Sequence, residues 1–317
     1  MRERWLEAAA CLVNVAGDLP FSLAGRTSGW VADCLAEIHP DRGEFLRLTR
    51  QGIAERLPGA PAEQLAAEVF RNYLITQYVD KLQVKKFLTG EPFAWREIGD
   101  SSELRAAMPR GGAIVCSCHF AHYALLPALL NGQGIDVVFL RGRADVLGKL
   151  EKHKGDIIYS SDPTAPFRLL KALSGGRAVF MMIDQIDPKG ITATLQLLGQ
   201  PAHAQLGIGW LAERAKCPLI TMSLEQRPDG LLRIKPLAEV SPAGRKTEET
   251  LQEVFSSLEA PIAERPESWL NWYIAGCGKE GPQLRSTLKT SNDALWKGLT
   301  EWEPAGPPAL RSAAGGA

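Results

Sequence analysis

The stretch Gly111-Gly112-Ala113-Ile114-Val115-Cys116-Ser117-Cys118-His119-Phe120-Ala121-His122 decides how this chain is read. A glycine pair opens a short apolar run, the pattern of a buried strand, and the run empties into a loop carrying two histidines. The same texture returns three times downstream. Val137-Val138-Phe139-Leu140, Ala178-Val179-Phe180-Met181-Met182-Ile183 and Pro218-Leu219-Ile220-Thr221-Met222 are each short and apolar. Helical stretches separate them at 123–130, 144–152, 167–173 and 207–215. Strands alternating with helices predict an α/β protein with a mostly parallel central sheet flanked by helices. An added strand at 231–234 and a helix at 246–264 complete this core, assigned to residues 91–302.

Residues 1–90 read as a helical N-terminal region packed on that core. Phe45, Leu46, Leu48, Ile53 and Leu57 recur at three- and four-residue steps until Pro58 and Pro61 break the pattern. A second pattern runs through Leu65, Val69, Tyr73, Ile75, Val79, Leu82 and Phe87. Lys81, Lys85 and Lys86 near its end are either a solvated helix end that suits the helix dipole or a docking patch for a phosphate-bearing partner. The apolar run at 5–16 is shorter than the roughly 20 residues a membrane-spanning helix needs, and Glu7 interrupts it. It reads as a surface-lying or core helix, which places the protein in the cytoplasm, with peripheral contact to the inner membrane. The Pro-, Gly- and Ala-rich stretch 303–317 reads as a disordered tail.

Charge and cysteine usage exclude several classes. Thirty-six basic and 36 acidic residues give no net charge, which argues against a nucleic-acid partner. Six cysteines, at 11, 34, 116, 118, 217 and 277, are too sparse for a disulfide-stapled secreted domain and fit reduced cytosolic thiols. Cys116-Ser117-Cys118-His119 has no second ligand pair at zinc spacing, so neither a metal nor a cofactor is expected.

In sheets of this kind the chemistry collects beyond the carboxyl ends of the strands. Three such loops are loaded: His119-Phe120-Ala121-His122, Arg141-Gly142-Arg143, and Asp184-Gln185-Ile186-Asp187. No phosphate-binding loop, dinucleotide glycine fingerprint or nucleophile elbow follows any strand, which removes kinase, dehydrogenase and ordinary serine-hydrolase readings. His119 is a candidate base or a helix cap. Arg141 and Arg143 are candidate charge-stabilising groups or plain surface charges. Asp184 is a turn former that could line a pocket. His122 is a second titrating group or a polar loop residue. Cys118, beside a histidine, is a candidate nucleophile.

Taken in order, these pieces resemble the bacterial lipid A biosynthesis acyltransferases, within the lysophospholipid acyltransferase superfamily. Cys118-His119-Phe120-Ala121-His122-Tyr123-Ala124-Leu125 is similar to the family's His-Phe-Gly-Asn-Trp-Glu block. Val138-Phe139-Leu140-Arg141 matches its strand ending in arginine, and Leu173-Ser174-Gly175-Gly176 with Ile183-Asp184-Gln185 its glycine turn and Asp-Gln loop. Leu197-Leu198-Gly199-Gln200-Pro201-Ala202, Ala212-Glu213-Arg214, Cys217-Pro218 and Pro266-Glu267-Ser268-Trp269-Leu270 follow in register.

The resemblance implies acyl transfer from an acyl-carrier-protein or coenzyme A thioester to a small-molecule or lipid acceptor. It makes His119 the general base, a role that suits a residue exchanging protons near neutral pH. Arg141 becomes a substrate-binding or charge-stabilising group, and Asp184, Gln185 and His122 binding or pocket residues.

Two departures stand out. The family's acid, five residues after the histidine, is here Ala124, and Asn271-Trp272-Tyr273 replaces a segment where the family tends to carry histidine and arginine. Three readings follow. A lone histidine would serve an amine acceptor taking an acyl or aminoacyl group. A conventional lipid acyltransferase would recruit a replacement acid, with Asp184 the candidate. A protein that kept the pocket without the reaction would be a binding or assembly factor.

Overall fold

In the computed structural model, which describes residues 21–81, 83–84, 112–142, 157–184, 191–227, 232–275 and 280–301, the run after the glycine pair is strand β1 (Ala113–Ser117). All of its residues are buried, as expected for a strand covered on both faces. It lies inside a six-stranded sheet with β2 (Val137–Arg141), β3 (Ile157–Tyr159), β4 (Ala178–Met182), β7 (Leu219–Gln226) and β8 (Leu232–Val240), in the order β3-β2-β4-β1-β7-β8. Every pairing from β3 to β7 is parallel. Only the edge strand β8 runs antiparallel, and it tolerates Pro236 beside a register shift between Thr221 and Met222.

Side chains alternate between the two faces of the sheet with the period of two that a strand imposes. Ile114, Cys116, Val138, Val179 and Met181 face the larger helical layer. Ala113, Val115, Val137 and Phe180 pack against Leu126, Leu129 and Leu130 of helix α4 (Leu126–Gly132). The larger layer contains α5 (Ala165–Ser174), α6 (Leu206–Ala215) and α7 (Thr247–Glu264). It also contains the N-terminal helices α1 (Phe21–Ile38), α2 (Arg42–Arg56) and α3 (Ala62–Leu74). The α2–α3 break falls at Pro58 and Pro61, where the missing amide hydrogens cannot continue a helix. The Phe45 ring lies tilted against those of Phe70, Tyr73 and Tyr273 at centroid distances of 4.9–5.0 Å, joining these helices to the segment after α7.

Other features were not anticipated, the short strand β3 among them. Helix α3 widens into a π-helical turn, Ile75–Asp80. Strands β5 (Thr192–Leu197) and β6 (Gln200–Gln205) form a separate hairpin, turned by Leu198 and Gly199 at φ of 52° and 69°. That left-handed pair matches the twist of a two-residue hairpin, and glycine adopts it at little cost. A last helix, α8 (Glu280–Glu301), follows. No described helix is long and apolar enough to cross a membrane. The apolar run at 5–16, the helix expected at 144–152 and the tail at 303–317 lie outside the described residues.

Candidate active site

The parallel ladder itself assembles the site. β1 and β4 pair from Ala113↔Ala178 to Ser117↔Met182, and the Ile183 amide extends the ladder by donating to the Ser117 carbonyl at 3.0 Å. Two residues further, both chains leave the sheet at the same level, and His119 stands against Asp184. Asp184 Oδ1 is 2.6 Å from His119 Nδ1. Its other oxygen, Oδ2, accepts the His119 backbone N–H at 2.9 Å, the Trp269 indole N–H at 2.8 Å and an Asn271 amide N–H at 2.9 Å. Four donors converge on one carboxylate, three of them on Oδ2.

Trp269 and Asn271 reach the pair because the segment after α7 is laced onto the histidine loop. Phe120 and Trp269 form an isolated antiparallel bridge. The Leu270 amide donates to the His119 carbonyl at 2.8 Å, and the Ala121 amide to the Ser268 carbonyl at 2.6 Å. Two short 3₁₀ turns, Pro266–Ser268 and Leu270–Tyr273, present these side chains.

The side chains of His119 and Asp184 are only 9% and 2% exposed. Burial pushes the Asp184 carboxyl up, but the His119 charge and the hydrogen bonds from His119 and Trp269 hold it below the ordinary carboxylate value. An ionised carboxylate accepts and cannot donate, so the imidazole hydrogen sits on Nδ1. The Asn271 amide, 3.2 Å from Nδ1, therefore gives its hydrogen to Asp184. In the neutral ring Nε2 is then the lone-pair nitrogen, and it makes no hydrogen bond among the described residues. The Tyr123 ring packs edge-on to the imidazole at 4.6 Å and fixes its tilt.

The sequence readings fare differently. Ala124 sits in the 3₁₀ turn Tyr123–Leu125, and the imidazole has a carboxylate beside it all the same, from the neighbouring strand. That geometry matches the second of the three readings, in which Asp184 stands in for the acid absent at Ala124. Cys118 is fully buried, and burial together with the Asp184 charge pushes its thiol well above the usual range. That is the reverse of what a nucleophilic thiolate needs.

Arg141 ends β2, its guanidinium 5.6 Å from the Phe139 ring centroid. β4 separates it from β1, a lateral offset of ~10 Å at ordinary strand spacing. His122 points away from Asp184, into a buried pair with Asp80. Gln185, Arg143, Asp187, Lys85 and Lys86 lie outside the described residues. No group of three or more metal-ligating side chains occurs among the described residues.

Asn271 and Asp80 were missed as site residues. Nothing local marks Asp80, which sits in a helical pattern 42 residues from its partner. For the meeting of Asp184, already a candidate, with His119 a signal did exist. His119 and Asp184 are each the seventh residue counted from the start of their strands at Ala113 and Ala178.

Comparisons with known proteins bear on the same region. The crystal structure of the 1-acyl-sn-glycerophosphate (LPA) acyltransferase PlsC from Thermotoga maritima is similar at 16% identity and a TM-score of 0.37, covering 71% of this chain and 96% of that one. No curated protein matches. The family described as bacterial lipid A biosynthesis acyltransferase matches residues 61–273, which include His119, Asp184, Trp269 and Asn271. With more than half of its length matched, the chain belongs to the bacterial lipid A biosynthesis acyltransferase family and is an acyltransferase.

Proposed function

We propose that the protein moves an acyl group from a thioester to a hydroxyl of a lipid acceptor, with His119 as general base and Asp184 as the acid that orients it. One observation carries this reading: the 2.6 Å contact between Asp184 Oδ1 and His119 Nδ1. It leaves Nε2 to take the acceptor's proton as the hydroxyl oxygen attacks the thioester carbonyl. The tetrahedral intermediate then expels the thiolate, the carbon–sulfur bond breaks, and the imidazolium returns its proton to sulfur. An ester and a free thiol result, with His119 regenerated. Asp184 stabilises the transient imidazolium, as carboxylates do in catalytic triads.

The donor is a carrier-protein or coenzyme A thioester. Arg141, offset to the side of β1, suits the anionic groups of the substrates better than an oxyanion held at His119. Gln185, next after Asp184 in the chain, is assigned a substrate-binding role. The protein works at the cytoplasmic face of the inner membrane in peripheral contact with its lipid acceptor. The amine-acceptor reading rested on a histidine lacking an acid, and that motive is gone. A binding or assembly role would leave unexplained why one buried carboxylate collects four donors around a histidine.

The test uses acyl-carrier-protein and acyl-coenzyme A thioesters with matched hydroxyl- and amine-bearing acceptors. His119→Ala should lower transfer to the hydroxyl by roughly 10²–10⁴-fold, the range typical of general bases. A folded variant keeping more than about a tenth of wild-type turnover would rule the base role out. Preferential transfer to the amine would reinstate the discarded acceptor.

A further inference from the structure

A second histidine–carboxylate pair lies three residues beyond the first. His122 Nδ1 is 3.0 and 3.2 Å from the two oxygens of Asp80, and the two side chains are 3% and 0% exposed. Asp80 is the last residue of the π-helical turn that ends α3, and Thr76 of the same turn accepts the His122 backbone N–H at 2.9 Å. One turn of the N-terminal layer thus grips both the backbone and the ring of His122. Single-turn π segments are rare in helices and recur at functional sites.

The grip holds an unusual backbone. His122 adopts φ 66°, ψ 8°, a left-handed conformation that few non-glycine residues take without support. From that kink the chain enters the turn that places Tyr123 against the His119 ring. On its opposite side the loop is strapped to Ser268 and Leu270, as described above. The triangle closes through Asn72 of α3, whose amide donates to the Glu267 carbonyl at 2.9 Å. A small polar recess lined by Asn72, Ala121, His122, Gln226, Arg265 and Ser268 lies at this junction.

We infer that the His122–Asp80 pair is a positioning device for His119: it locks the kinked loop so that the imidazole keeps its edge-on contact with Tyr123 and its bond to Asp184. This rests on the proposed role of His119 as base. The pair acts through the loop and has no contact with reacting atoms. A shift of about 1 Å in a reacting group costs on the order of a hundredfold in rate, so loosening the lock should appear in kcat.

The full-length protein is assayed with an acyl-coenzyme A thioester and a hydroxyl-bearing lipid in mixed micelles, for Asp80→Asn, His122→Ala, His122→Asn and His119→Ala. Asp80→Asn and His122→Ala should lower kcat about ten- to a hundredfold with KM unchanged. His122→Asn should recover most of the loss, because asparagine accepts left-handed backbone and still offers an N–H to Asp80. In proton NMR, the downfield resonance of the hydrogen between His119 and Asp184 should broaden or shift in Asp80→Asn, a response that a remote packing defect would not produce.

Folded Asp80→Asn with wild-type kcat and an unmoved resonance would overturn the inference. So would unfolding of both Asp80→Asn and His122→Ala, which would make the pair an element of stability alone. Activity retained in His119→Ala would sink the base assignment instead, and the resonance would still report whether the lock exists.

Discussion

Asp184→Asn is the substitution whose outcome the geometry forces most tightly. An asparagine amide offers one oxygen and one NH₂ where the carboxylate offers two acceptors. If the oxygen takes the place of Oδ2, it keeps the donors from the His119 backbone, Trp269 and Asn271. The NH₂ then faces His119 Nδ1 and forces that nitrogen to accept, which moves the ring hydrogen to Nε2. The opposite orientation preserves the tautomer but sets an NH₂ against three N–H groups and forfeits three hydrogen bonds, each worth about 1 kcal/mol. The first orientation wins by roughly 3 kcal/mol, and the base is left protonated at the wrong nitrogen. The same swap in a serine-protease triad costs about 10⁴ in kcat, or about 5.5 kcal/mol of barrier. A loss of that order is expected here. Stability should change by no more than about 2 kcal/mol, because weaker acceptance is offset by burying a neutral group. Single-turnover thioester consumption at saturating acceptor measures the first quantity and thermal melting the second. A folded variant within tenfold of wild-type kcat would refute the orienting role of Asp184.

Three other outcomes are expected. The Asp184 carboxyl is held below its ordinary value in the folded state, so the stability it contributes is present above about pH 4 and is lost as pH falls through the folded value. The gap in denaturant midpoint between wild type and Asp184→Asn should therefore close on going from pH 7 to below about pH 4. In α2, a methyl group on Gly52 would sit 2.1 Å from the Trp272 carbonyl and 2.8 Å from that of Ala275. Gly52→Ala should cost about 3 kcal/mol in melting experiments and depress kcat, because the displaced backbone carries Asn271. Cys118→Ala should retain most of the activity and cost about 1 kcal/mol, and native Cys118 should resist alkylation. Abolished transfer in a folded Cys118→Ala protein would return the thiol to the mechanism.

Much of the fold was legible because its signals are local. Apolar runs of four to six residues closed by chemically loaded loops can hardly be anything but buried parallel strands when helices separate them. The α2–α3 break was equally readable, since Pro58 and Pro61 act through their own covalent geometry. The hairpin β5–β6 was not legible: its turn depends on Leu198 in a left-handed conformation that leucine does not advertise. The short strand β3 escaped for want of length. Its three residues are held by pairing with β2, not by any pattern of their own.

For the site, the sequence by itself determined which residue types stand at the carboxyl ends of the strands, and so named His119, Asp184, Arg141 and His122 as candidates. It could not decide which of them meet. Strand order is a tertiary choice: β4 pairs with β1 although β2 intervenes in the chain, and only that adjacency carries Asp184 to His119 across 65 residues. The acid absent at Ala124 therefore looked like a loss, whereas the sheet register supplies a carboxylate from the next strand. The pairing of His122 with Asp80 and the arrival of Trp269 and Asn271 have the same origin. Hydrogen bonds form between groups that packing brings within about 3 Å, and separation along the chain carries no information about that distance once the core has closed.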